Sequence, residues 1–206
     1  MEPKWAEENL QTIRTLMERS TIYRRALAPI MLFAGALGVA AAAIGLLFHL
    51  DSSRQFGVLW LCTAAVVVVG AFLIARRQAI KDHENFWSPP TRRVAQALLP
   101  AFISGLCLSV LQLLHEADPE VPKFIALIWI IFYGLALHAA GFFMPRGIKL
   151  FGWAFMISSL SLFYILGFFQ INFDLSAHWL MGFFFGVLQL AYGAYLYLTE
   201  NGKNAA

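Results

Sequence analysis

The sequence predicts an all-α polytopic membrane protein: a bundle of six transmembrane helices preceded by an amphipathic helix. Three observations carry this. Apolar residues make up 60% of the 206 and charged residues 13%, against about 25% charged in a soluble domain. Mean hydropathy is +0.67. Six apolar segments are each long enough to cross a hydrocarbon core, which takes about 20 residues.

The first 25 residues read as an interfacial helix. Pro3 suits a first turn, and Glu7 and Glu8 sit where the helix dipole favours acids. Leu10, Ile13, Met17 and Ser20 share one face, and the segment ends in Tyr23-Arg24-Arg25. Such a helix lies on the inner membrane surface. Docking to a cytoplasmic protein is the alternative use. Arg24-Arg25, an apolar run and Ala40-Ala41-Ala42 have the outline of a signal peptide. The preceding region is too long for one and the apolar run continues to Phe48, so no cleavage is expected.

The six spans are placed at 26–48, 55–75, 94–114, 123–144, 149–170 and 177–198, within a transmembrane domain of 26–199. Charge or turn formers mark each boundary: Asp51-Ser52-Ser53-Arg54, Ser88-Pro89-Pro90, Asp118-Pro119, Pro145-Arg146-Gly147, and Asn172 to Ser176. Helix 2 is expected to continue past the membrane as a helical extension over 76–90. There Ala79, Ile80, His83, Phe86 and Trp87 recur at helical spacing before the prolines end it. Residues 200–206 form a short tail. Faint likenesses between helices 1 and 3 and between helices 4 and 6 are a weak signal of three parallel hairpins descended from one, and nothing suggests inverted halves.

Thirteen of the fifteen lysines and arginines fall on the side that holds both termini; Arg54 and Lys123 fall on the other. This places both termini in the cytoplasm and the protein in the plasma (inner) membrane. The net charge of +3 is therefore topological, and no nucleic-acid partner is expected. Cys62 and Cys107 lie inside apolar segments and read as small buried residues, not a disulfide framework.

Small residues mark where membrane helices meet. Helix 1 carries Ala34, Gly38 and Ala42, with Gly35 and Gly45 nearby. Helix 4 carries Gly134, His138 and Gly141, and helix 6 carries Gly182, Gly186, Gln189 and Gly193. These stripes are expected to be close-packed within one chain; a homo-oligomer would use the same motif. Phe184, two residues from Gly186, is expected to face lipid.

No nucleotide-binding, P-loop or zinc-protease motif occurs, and no charged residue stands at mid-membrane depth. Two polar groupings remain. Near the midplane are Tyr133, His138, Ser158, Ser159, Ser161 and Gln189. They either bond helices together or line a small-solute path in which His138 is the titratable member. At the outer surface are His49, Asp51, His115, Glu116, Asp118, Asp174 and His178. Imidazole and carboxylate suit a divalent metal ion. Asp174 and His178 share a helix face only if the helix includes Asp174; with Ser176 as N-cap, Asp174 lies outside it. His49, His115 and His178 at one level also meet the first requirement of a haem site. No cofactor is expected. The leading functional expectation is a non-enzymatic regulatory, sensory or accessory subunit, whose partners are the bilayer and a membrane or cytoplasmic protein. A small channel or uncoupled transporter comes second, and a metal-dependent membrane enzyme third.

Overall fold

A computed structural model describes residues 26–81, 86–114, 121–144, 146–168 and 176–204. The N-terminal amphipathic segment lies outside them. All described elements are helical: α1 (Ala26–Leu47), α2 (Ser53–Lys81), α3 (Pro89–Leu114), α4 (Val121–Ala140), α5 (Arg146–Phe168), α6 (Ala177–Met181), a π-helical segment (Gly182–Val187) and α7 (Leu188–Asn204). α6, the π segment and α7 run on as one sixth span, Ala177–Thr199. Among the described residues, six helices are thus long and apolar enough to cross a membrane.

The sixth span is, after α4, the most buried of the six. It touches α1 through glycines, α2 through His178, α4 through Gln189 and α5 through Phe184 and Tyr192. Its contact with α1 is antiparallel and runs the length of both. A Cβ added at Gly186 would stand 2.9 Å from the Val39 backbone nitrogen, and one at Gly193 2.9 Å from that of Leu32. One at Gly182 would stand 2.6 Å from the Ala42 Cβ, while Gly38 abuts the Phe185 carbonyl. The expected stripes on helices 1 and 6 therefore meet each other within one chain. Without a hydrophobic drive between helices in lipid, such backbone approach is how dispersion contacts are gained.

The helix 4 stripe meets α5. Gly134 and Gly152 face one another, each added Cβ falling 2.7–2.9 Å from the other's carbonyl oxygen, and Gly141 lies against the Lys149 backbone. Three apolar layers fill the bundle. Phe56, Trp60, Ile125 and Met181 lie at the end bearing the α1–α2 connection; Leu127, Ile130, Phe155 and Phe184 fill the middle; Leu27, Met31, Leu137 and Ile148 fill the other end.

Phe184 is 3% exposed, so the lipid-facing expectation fails. The reason is the span's central place: the side opposite its glycines meets α4 and α5 rather than lipid. Cys62 and Cys107 are exposed, free thiols on the outer faces of α2 and α3, not buried residues.

The α2–α3 hairpin is the least embedded part. Of 29 residues in α2, only Ser53, Phe56, Gly57, Trp60 and Ala79 are buried. The expected extension does not run on to 90. α2 is helical to Lys81, residues 82–85 lie outside the described set, and Phe86 and Trp87 form a turn. The Phe86 ring packs 5.0 Å from that of Phe72, edge to face. A straight helix would separate those residues by about 21 Å, so the chain folds back on α2. Proline at a helix start is favourable, and α3 accordingly begins at Pro89, with Arg92 N–H donating to the Ser88 carbonyl.

Candidate functional site

The outer histidines separate. α1 closes with His49 at φ 48°, the Leu50 N–H donating to the Gly45 carbonyl at 3.0 Å and the His49 N–H to that of Leu46 at 3.4 Å. This is a Schellman cap with histidine in the left-handed position glycine usually takes. It leaves the His49 side chain exposed and turns the Leu50 carbonyl toward the sixth span.

His178 is fully buried. Its Nδ1 accepts from the Trp60 indole N–H at 3.2 Å, and its Nε2 lies 3.1 Å from the Leu50 carbonyl. Since indole only donates and a carbonyl only accepts, the ring is neutral with its proton on Nε2. Phe56 packs on the ring at 5.2 Å and stacks on Trp129 of α4 at 5.8 Å. Ser176 is the N-cap: its hydroxyl accepts from the His178 N–H and donates to Asp51 Oδ1 at 3.0 Å. The α1–α2 connection, α2 and the sixth span are tied together here. Both ring nitrogens of His178 are engaged, and His49 points elsewhere. His115, Asp118 and Asp174 lie outside the described residues. Among the described residues no group of three histidine, cysteine or acidic side chains forms a metal cage.

The midplane grouping also divides. Ser158 and Ser161 are on the exposed face of α5, while Ser159 is buried and donates to the Leu127 carbonyl at 2.7 Å. At about 100° per residue Ser158 and Ser161, three apart, fall on one face, while Ser159 is turned from both and meets α4. His138 faces α5. Its ring stands edge-on to Trp153 at 5.2 Å and Phe142 at 5.5 Å, and its Nδ1 is buried without a partner. Lys149 Nζ sits 3.9 Å above the Phe142 ring, a cation–π contact closing the α4–α5 corner. The structure does not bring His138, Ser158 or Ser161 to Gln189.

It does bring Tyr133 to Gln189. The Gln189 amide donates to the Tyr133 hydroxyl at 2.6 Å, and its Oε1 is buried without a partner. Gln189 follows the π segment, in which the Leu188 N–H reaches back five residues to Phe183. Gly193 beyond that segment keeps the α1 contact, while Gln189 is turned to Tyr133. Phe155 and Phe185 pack on the Tyr133 ring at 5.3 and 5.1 Å, and Phe102 of α3 lies nearly parallel to it at 6.4 Å.

Sequence reasoning missed Trp60, Phe102, Gly152 and the Gln112–Ser53 pair, in which the Gln112 amide donates to the Ser53 hydroxyl at 2.9 Å and its carbonyl at 3.1 Å. Only Gly152 left a trace, as the small residue that Gly134 needed opposite it. No protein-family model matches the chain, and no curated protein or solved structure is significantly similar to it.

Proposed function

We propose that this chain is an integral protein of the plasma membrane, both termini cytoplasmic, and that it is a non-enzymatic accessory or regulatory subunit acting through helix packing. One observation carries the reading. Four buried polar side chains at the helix seams are turned onto neighbouring elements: His178 onto Trp60 and Leu50, Gln189 onto Tyr133, Ser159 onto Leu127, Gln112 onto Ser53. Polar groups spent as interhelical bonds support a packing role over a water-filled path. The α2–α3 hairpin, shallowly held against the rest, is where a partner's helices would pack.

The test is a photocrosslinking residue at Val69 of α2 or Leu106 of α3, both exposed, compared with Leu150 of α5, also exposed. Discrete protein adducts from the hairpin but not from Leu150 are expected. The purified chain in liposomes should leave ion and small-solute gradients intact. Flux that changes with Gln189→Leu would replace this reading with the channel.

A further inference from the structure

The Tyr133–Gln189 pair is chemically incomplete. Gln189 is 2% exposed, and its Oε1 has no donor. While the amide donates to Tyr133, the tyrosine's own proton is not used by that bond. Turning the amide over would give that proton an acceptor but would leave the NH2 group in the same apolar surroundings. With the amide donating to Tyr133, the missing group has to accept the tyrosine's proton and donate to Oε1; with the amide turned over, it need only accept from the NH2. The orientation shown is the first. A buried polar atom without a partner is costly, so a ligand that supplies the partner is favoured.

The walls around the pair are aromatic. Phe102 and Tyr133 are inclined by only 15°, with centroids 6.4 Å apart. These two rings stack on one another, so a third ring enters between them only when α3 moves outward. Packing beside Phe102 is open: a Cβ added at Gly105 would meet nothing closer than Phe132 at 3.7 Å. Phe102 itself is 40% exposed, so the approach is lateral, from the surface of the bundle. The π segment just before Gln189 is a distortion that recurs at functional sites.

We propose that the slot between Phe102 and Tyr133 binds the hydroxylated aromatic ring of a lipid-soluble molecule, a phenol or quinol on an apolar tail. Its hydroxyl accepts the Tyr133 proton and donates its own to Gln189 Oε1. Its ring stacks between Phe102 and Tyr133, and its tail leaves toward lipid past α3. Binding moves α3 and so couples the ligand to the hairpin. That consequence rests on the regulatory reading above; the site does not.

The experiment uses the full chain in nanodiscs and two probes, a long-chain alkylphenol and its methyl ether, which keeps ring and tail but cannot donate. Equilibrium binding is measured against empty nanodiscs. The phenol should bind about tenfold tighter than the ether, the worth of one buried hydrogen bond. Gln189→Leu should abolish that preference while leaving ether binding in place. Phe102→Ala should weaken both probes, and Val110→Ala, farther along α3, neither. Should Gln189→Leu not fold, Gln189→Met must abolish the preference instead. The site is rejected if neither probe exceeds partition into empty discs. Equal binding of the two probes, or a preference that survives both substitutions, rejects it equally. Because binding is read on the purified chain, its failure leaves the crosslinking result standing, and the reverse also holds. A quinol that outcompetes the alkylphenol would identify the source as a redox lipid.

Discussion

Gly186 and Val39 meet backbone to backbone. A methyl group at position 186 would stand 2.9 Å from the Val39 nitrogen and 2.8 Å from its Cγ2. The nitrogen belongs to a helix and cannot step aside. Gly186→Ala should therefore push α1 off the sixth span and cost about 1–3 kcal/mol, the range for overpacking a tight contact. Val187→Ala, on an exposed position of the same segment, should change stability by under about 0.5 kcal/mol. Thermal unfolding in detergent compares the two. Equal effects would mean the α1 contact does not hold the bundle.

Phe183 and Phe184 make a second pair of neighbours with opposite fates. Phe184 packs on Phe155 at 5.4 Å in the middle layer, whereas Phe183 is half exposed. Phe184→Ala should cost about 2 kcal/mol, below the range for soluble cores because lipid also solvates phenylalanine. Phe183→Ala should cost little. The same unfolding assay decides, and a reversed order would place the sixth span at the bundle's edge.

These two positions show what was legible in the sequence. Length and hydropathy located six spans to within a few residues at most ends, since both are local properties. Gly38, Ala42, Gly182, Gly186 and Gly193 were readable because a missing side chain is a statement about approach distance. The burial of Phe184 was not readable, because it depends on α4 and α5 lying behind the sixth span. The π turn over Gly182–Val187 was not readable either, because no residue type announces it. Spacing puts Gln189 on the helix 6 stripe and depth puts it with Tyr133, and only the second placement describes where its amide goes. Ser158 and Ser161 were grouped with Ser159 on depth alone, and depth does not say which way a side chain points.

His49 occupies the left-handed cap of α1 at φ 48°. That conformation costs a residue with a Cβ about 1–2 kcal/mol, and its exposed side chain recovers nothing from the core. His49→Gly removes the strain, while the freer unfolded chain returns about 0.5–1 kcal/mol of the gain. The net expectation is a protein more stable by roughly 0.5 kcal/mol. A lower melting temperature for this variant would show that the imidazole is held by a group beyond the described residues.

His138 is the titratable residue that a solute path would need, and it sits between Trp153 and Phe142 with Nδ1 unpaired. Removing a polar group that has no partner can be neutral or stabilising. His138→Leu should therefore match or exceed the parent in stability, and His138→Gln should fall within about 1 kcal/mol of it. A loss of several kcal/mol in the leucine variant would mean that Nδ1 has a partner in the membrane-inserted protein.

His178 should behave in the opposite way. His178→Leu strands two buried groups at once, the Trp60 indole N–H and the Leu50 carbonyl, each worth about 1–3 kcal/mol when left unpaired. It also removes the ring on which Phe56 packs and against which Gly45 closes. The expected loss is about 3 kcal/mol, far above that of any change at exposed His49. His178→Gln offers an amide N–H to Leu50 and an amide oxygen to Trp60, so it should recover part of the loss. Trp60→Phe removes only the donor. Combined with His178→Leu, it should cost less than the two single changes added together, because the second substitution has no bond left to break. The coupling measured by this cycle should fall between about 0.6 and 1.7 kcal/mol, the range for interhelical bonds in membranes. Strict additivity would show that Trp60 and His178 are neighbours without being partners, and the clamp on the α1–α2 connection would then rest on Leu50 alone.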